Sequence, residues 1–202
     1  MFYTSEDGPK GLAHNPFKAI VAPRPIAWIS TRNADGSANL APYSYFNAFN
    51  DAPPMIAYGT QARKTGLDEG KDSLANIRRT GEFAVNIVSY ELRNAMNVSS
   101  QHFPAGEDEF AAAGLSKAPA KGIDAEIVAE APAALECKLW KILDLPGDQS
   151  FMVIATVTGV HIQDRFIREG RLDVAAYQPL ARLGYRDYAR VSDVFELTRP
   201  DD

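Results

Sequence analysis

Three groups of residues in this chain have the types and spacing to hold a ligand. Asn39, Ser44, Tyr45, Phe46 and Asn47 crowd amides, hydroxyls and aromatic rings into one short stretch, NLAPYSYFN. Such a stretch can hydrogen-bond the rim of a flat ring and its polar substituents while an aromatic side chain lines the ring face. It can equally be a loop that closes a β structure and buries its aromatics. Lys71, Asp72 and Ser73 precede LANIRRT, a helix-start pattern with Asp72 or Ser73 as the cap. Amides at a helix start face outward with a dipole that favours an anion, to which Lys71 adds charge and Ser73 a hydroxyl. An ordinary capped surface helix has the same tripeptide. Arg24, set between Pro23 and Pro25, sits on a stiff segment suited to a preorganised phosphate or ring contact, or to a surface ion pair. Together these residues describe a site for something flat and anionic.

Other chemistries find no anchor. His14, His102 and His161 are scattered, without an HxH or HExxH spacing, so no metal site is expected. His161 falls in a strand pattern and reads as structural, while His102 lies in a loop with no visible partner. No serine sits in a G-x-S-x-G elbow, and no G-x-G-x-x-G joins a strand to a helix. A nicotinamide would therefore bind without a Rossmann unit, as a visiting substrate. Cys137, the single cysteine, cannot form an internal disulfide, and its LECKLW surroundings read as a strand holding a structural thiol.

The elements that position these residues follow from local pattern. Pro23 and Pro25 forbid a helix, and Ile26 to Thr31 reads as a strand that turns through Asn33-Ala34-Asp35-Gly36 and returns over Ser37 to Ala41. Beyond Pro42 an aromatic loop from Tyr43 to Asn47 is expected, closed by Pro53-Pro54, with a strand over Met55 to Gly59. After the helix that Gly81 ends come a strand over Glu82 to Val88 and a helix capped by Ser89 that runs from Tyr90 to about Val98. An exposed loop over Ser99 to Glu107 leads to a short helix over Asp108 to Ala113, closed by Gly114. Ser116 to Pro132 is irregular around a strand at Ile127. Leu135 to Leu145 and Ser150 to Asp164 form a hairpin turned by Pro146-Gly147-Asp148, and Leu183 to Arg190 is a last strand. Just before it and along it, Arg182, Tyr185, Arg186, Tyr188 and Arg190 mix charge and ring, placed to reach a cofactor or a partner subunit or to make a solvated edge. Six or more strands at hairpin spacing, with two or three short helices, fit a closed antiparallel barrel better than a parallel sheet.

PRPIAWIST, DGxxNLAPYSYFN, KDSLANI and GEFAVNI, in this order and spacing, resemble the flavin reductase-like, FMN-binding split-barrel proteins, and the resemblance extends from about Asn15 to Tyr188. It implies a mainly β fold: an antiparallel Greek-key split β-barrel with a few short peripheral α-helices, one domain over 1–202 with its core at about 15–190. It implies bound FMN, with the phosphate near Lys71, Asp72 and Ser73 and the ring and ribityl chain along Asn39, Ser44, Tyr45, Phe46 and Asn47. Arg24 is a further contact. It also implies an NAD(P)H-dependent flavin reductase, with NADH or NADPH as co-substrate, in which hydride passes from nicotinamide to flavin and no catalytic side chain is required. The alternative is an FMN electron carrier reduced by a partner protein. A homodimer is implied as well.

Composition agrees with a chain able to bury a core: 202 residues, 46% of them hydrophobic. A net charge of −5 argues against a partner with a phosphate backbone, so no nucleic acid is expected. The N-terminal MFYTSEDGPKGLAHN has neither a basic n-region nor an apolar h-region, and no run reaches membrane-span length. The expectation is a cytoplasmic protein without a membrane partner.

Overall fold

A computed structural model describes residues 1–61, 72–103 and 107–200. In chain order the elements are α1 (Phe17–Ile20), β1 (Arg24–Pro25), β2 (Ala27–Arg32), β3 (Ala38–Tyr43), β4 (Phe46–Asp51), β5 (Pro54–Gln61) and α2 (Asp72–Thr80). Next come β6 (Glu82–Ile87), α3 (Arg93–Val98), α4 (Glu109–Ala112), β7 (Lys117–Pro119), β8 (Glu126–Val128), β9 (Ala133–Leu145) and β10 (Ser150–Ile162). A 3₁₀ turn (Asp164–Phe166) then leads to β11 (Ile167–Arg168), β12 (Arg171–Leu172), α5 (Val174–Tyr177), β13 (Leu180–Arg182) and β14 (Tyr188–Arg190).

Seven strands form one antiparallel sheet in the order β3-β2-β6-β9-β10-β5-β4. Its two edge strands, β3 and β4, are consecutive in the chain and joined only by Ser44 and Tyr45. From Tyr43 to Phe46 the backbone can span about 11 Å at most, so the sheet has to curl until its edges meet at that corner. The result is a barrel split between β3 and β4, the expected mainly β architecture.

Strand alternation sorts the core into two faces. Ala27, Ile29, Tyr43, Tyr58, Phe83, Val85, Cys137 and Val153 fill the barrel, together with Leu74 and Ile77 from the inner face of α2. Trp28, Leu40, Val88, Met96, Phe110 and Leu180 pack on the outside of the β2–β3 hairpin, beneath α3, α4 and β13. Trp28 is fully buried and its indole N–H donates to Ser99 Oγ at 2.8 Å. The 33–36 turn forms as expected, with Gly36 at φ 87° and Ser37 N–H donating to Asp35 Oδ1 at 2.9 Å. Asn76 then ties α2 to that hairpin, donating from Nδ2 to Thr31 Oγ1 at 3.0 Å and to Asn33 Oδ1 at 2.7 Å. Gly81, at φ 71°, ends the helix by donating to the Ile77 carbonyl.

Four local expectations are corrected. The stretch from Tyr43 to Asn47 is no loop, since β3 runs through Tyr43 and β4 begins at Phe46; pairing across Tyr43–Ala27 and Phe46–Tyr58 satisfies the backbone on both sides. Ser89 caps no helix: it bridges Pro179, the Tyr90 N–H donates to the Gln178 carbonyl, and α3 starts only at Arg93. Ser99 is buried rather than exposed, because the Trp28 indole needs an acceptor. Leu183–Arg190 is a turn followed by one arm of the β13–β14 hairpin. Its left-handed residue is Tyr185 (φ 54°), while Gly184 is small for another reason: a Cβ there would lie 2.4 Å from the Ala19 Cβ of α1.

Candidate functional site

The corner where the barrel splits opens into a cleft of about 530 Å³, within the range that accepts a cofactor-sized ligand. Its walls come from distant parts of the chain. Tyr43, Ser44 and Tyr45 descend from the β3–β4 corner and Gly59, Thr60 and Gln61 from β5. Met96, Asn97 and Ser100 come from around α3, Ser150 and Phe151 from β10, and Arg182, Tyr185 and Tyr188 from the C-terminal hairpin. Lys18 and Arg24 close the remaining side.

Tyr45 is set by a close backbone crossing. Its carbonyl accepts from the Gly59 N–H at 2.7 Å, and a Cβ on Gly59 would come within 3.2 Å of the Tyr45 Cβ. Only a glycine lets the corner lie this tightly on β5. Tyr45 stays 44% exposed, with Lys18 Nζ and Arg24 Cζ each 5.9 Å from its ring centroid. Arg24 itself is buried. Its Nη1 donates to the Lys18 and Val21 carbonyls and its Nη2 to the Leu183 carbonyl at 2.8 Å, which fastens α1 and β13 to the corner. Its Nε is buried without a hydrogen-bond partner among the described residues. Lys18, Arg24 and Arg182 form no ion pair with a carboxylate of another described residue. Three cations thus converge on one cleft of a chain whose net charge is −5, a potential that attracts an anionic ligand.

Tyr43 connects the cleft to the start of α2. Burial pushes its phenol up to about 12, against the smaller opposing pull of the Ser73 and Thr60 hydroxyls, and the carboxylates of Asp72 and Glu109 push in the same direction as burial. The phenol therefore stays protonated at any physiological pH. Glu109 is also raised, first by burial and then by the Asp72 and Asp108 charges. Tyr58, behind Tyr43 with ring centroids 5.0 Å apart, is pushed up by burial in the barrel core.

The residues singled out from sequence divide accordingly. Arg24, Ser44 and Tyr45 line the cleft. Asn39 and Ser73 meet each other, Asn39 Nδ2 donating to Ser73 Oγ at 3.0 Å, but both are buried and bind α2 to β3. Asp72 opens α2, half-buried. Phe46 packs against the barrel core, and Asn47 is exposed on β4, its Oδ1 accepting from the Ala48 N–H. Lys71 lies outside the described residues. Lys18, Thr60, Asn97, Ser150 and Phe151 had no sequence signal, since nothing local reveals what barrel closure brings together. The alternating arginines and tyrosines before Arg190 were such a signal. Among the described residues no group of His, Cys, Asp or Glu is arranged to hold a metal, and no helix is long and apolar enough to cross a membrane.

The donor set fits a flavin mononucleotide: a flat aromatic wall, hydroxyls, and cations with an unsatisfied buried N–H. Comparison with known proteins points the same way. Residues 21–180 match the model of the flavin reductase like domain. A protein of Deinococcus radiodurans is 35% identical over 199 residues, covering 95% of this chain and 86% of its own length. The crystal structure of 2-nitrobenzoate 2-nitroreductase from Pseudomonas fluorescens superposes with a TM-score of 0.80 at 33% identity, over 91% of this chain and 88% of that one. Nitrilotriacetate monooxygenase component B from Bacillus cereus gives a TM-score of 0.88 at 29% identity, over 98% of both chains.

Proposed function

The chain belongs to the flavin reductase like family, and on that premise we propose that it binds FMN in the cleft beside Tyr45 and acts as an NAD(P)H-dependent flavin reductase. The observation that carries the reading is that Lys18 and Arg24 stand over Tyr45 in a cleft that Ser44 and a third cation, Arg182, also line. Bound FMN would accept a hydride from the nicotinamide and pass electrons on.

The chain's own residues then have binding and orienting roles. Tyr45 offers a flat face, held in place by Gly59. Ser44 lines the cleft as a polar residue, and the buried Thr60 hydroxyl acts behind it on the Tyr43 phenol. Arg24 and Arg182 supply positive charge to the cleft, which would favour an anionic ligand. Tyr43 lines the cleft and its phenol meets the Ser73 hydroxyl at the start of α2, and on the family resemblance Lys71 and the first amides of α2 are assigned to the phosphate. Asn39 acts behind Ser73 as a brace. Orientation carries the catalysis, and no side-chain base is needed.

The protein works as a homodimer in this account. Phe49 and Trp140 are 65% and 63% exposed. Each is the extra residue at a register shift, Phe49 between Ala48 and Asn50 of β4 and Trp140 in β9 opposite the Ile154/Ala155 step. Through β5 and β10 they fall near one transverse line of the sheet, three strand spacings or about 14 Å apart. Two large aromatics on one outer face suit a second copy. Sedimentation should give a dimer that the double change Phe49→Ser, Trp140→Ser converts to monomer.

The test of function is FMN titration followed by anaerobic NADH or NADPH. Uptake and bleaching support the reductase. Uptake without bleaching by either nicotinamide favours the carrier, and failure to take up FMN rejects both.

A further inference from the structure

A second cleft, of about 430 Å³, adjoins the first and shares Met96, Asn97 and Tyr188 with it. At its wall Tyr90 carries two guanidiniums, Arg93 Cζ 4.1 Å and Arg190 Cζ 4.7 Å from the ring centroid. They come from separate elements. Arg93 opens α3, its Nη1 donating to the Tyr90 carbonyl at 2.9 Å, and Arg190 ends β14, its Nη1 donating to Gln178 Oε1 at 3.3 Å.

The register Arg182↔Tyr188 and Leu180↔Arg190 puts these four residues on one face of the β13–β14 hairpin. Arg182, 4.4 Å from the Tyr188 ring, lines the first cleft, so positive charge continues past Tyr188 into the second. Two like charges on one ring repel each other, and neither Arg93 nor Arg190 has a carboxylate of a described residue within ion-pair distance. Carboxylates are not scarce, as the chain has 26 acidic against 21 basic residues. Stacking occupies the flat face of a guanidinium, and with Nη1 of each arginine already donating, the Nε–Nη2 edge remains as the fork that takes a carboxylate or phosphate in a bidentate manner. Met96 and Leu180 add apolar wall.

We propose that Arg93 and Arg190, stacked on Tyr90, bind the oxyanion of the reaction partner whose redox-active ring enters the first cleft; this rests on the flavin reading above. Two sources carry that chemistry: the diphosphate of a nicotinamide dinucleotide and the carboxylate of an aromatic acceptor.

Calorimetric titration of the FMN-saturated protein with ADP, adenosine, benzoate and benzamide separates them. At least one of the two anions binds, and its neutral counterpart binds about tenfold or more weakly. Arg93→Gln and Arg190→Gln each weaken that anion by about tenfold or more, the loss expected of a charge-assisted hydrogen bond. FMN affinity in these variants stays within about twofold of wild type, as for a change outside its site. Arg93→Lys and Arg190→Lys, which keep charge without the fork, recover part of the anion affinity. Binding of ADP alone identifies the dinucleotide, and of benzoate alone the aromatic acid. Failure of both anions to bind, equal binding by the glutamine variants, or equal binding of the neutral counterparts overturns the proposal. If the protein takes up no FMN, the flavin reading fails separately, and the same titrations on the FMN-free protein still decide this cleft.

Discussion

Replacing Glu136 by glutamine should destabilise the fold, and by an amount that depends on pH. Glu136 is 2% exposed, yet its carboxylate accepts from Lys121 N–H at 2.6 Å, Gly122 N–H at 2.7 Å and His161 Nε2 at 2.6 Å. It fastens the 121–122 turn to the β9–β10 hairpin. Two glycines leave the space it fills: a Cβ on Gly122 would lie 2.9 Å from Glu136 Oε2, and one on Gly159 would lie 3.2 Å from the carboxyl carbon. Glutamine has the same size but must turn an NH₂ toward one of the donors, and it removes charge from the other bonds. With a charge-assisted bond contributing about 1.5–3 kcal/mol, the loss should be about 3 kcal/mol. For a chain of this length that is a fall of roughly 6–12 °C in Tm. The sign with pH follows from the carboxyl. Burial alone would raise it, but the bonds from Lys121, His161 and Gly122 together hold it below its ordinary value of 4.5. A group depressed in the folded state stabilises above its unfolded pKa, and the contribution is lost as pH falls through the folded pKa. The gap between wild type and Glu136→Gln should be full near neutrality and close progressively below about pH 4.5. Urea denaturation at a series of pH values measures it. A gap that is absent at neutrality, or one that persists unchanged into acid, would refute the assignment of an ionised, triply bonded carboxylate.

Gly59→Ala presses on Tyr45, whose Cβ would stand 3.2 Å from the new methyl. It should cost about 1–3 kcal/mol of stability and weaken FMN, and an unaltered FMN titration would show that Gly59 does not position the ring. Lys71→Ala should weaken FMN more than riboflavin, since its charge is assigned to the phosphate; equal losses in parallel fluorescence titrations would move the phosphate elsewhere. His102→Ala should leave the anaerobic reduction rate within about tenfold of wild type, short of the 100-fold or greater loss typical of a deleted general acid or base. A collapse in stopped-flow reduction with an unchanged flavin spectrum would reveal a proton transfer absent from this account.

How much of this was legible in the sequence depends on the range of the interaction. β2, β9, β10 and α2 follow from local alternation and turn chemistry, and each appears within a few residues of its expected bounds. The 89–98 helix was misplaced because Ser89 carries a capping pattern that loses to a long-range bridge with Pro179. The C-terminal hairpin was hidden because its left-handed residue is a tyrosine, and the neighbouring Gly184 answers to packing against Ala19 instead. At the site, the proline-flanked Arg24 and the SYFN stretch could be picked out from residue type, and Arg24, Ser44 and Tyr45 do meet in one cleft. Asn39 and Ser73 could not be recognised as each other's partner across 34 positions. Lys18 and Thr60 are brought into the cleft beside Tyr45 only by the tertiary fold, and periodicity carries no record of that.

The central claim, that the cleft at the split of the barrel holds FMN against Tyr45 between Lys18, Arg24 and Arg182, is tested most directly by titrating FMN into the purified protein and into Tyr45→Ala. Flavin fluorescence and the visible spectrum give the readout. The account predicts saturable uptake at one FMN per chain, with the flavin absorbance perturbed by its surroundings, and an affinity lowered by about tenfold or more when the ring of Tyr45 is removed. A protein that leaves the free-flavin spectrum unchanged, or that binds FMN equally well without Tyr45, would contradict it.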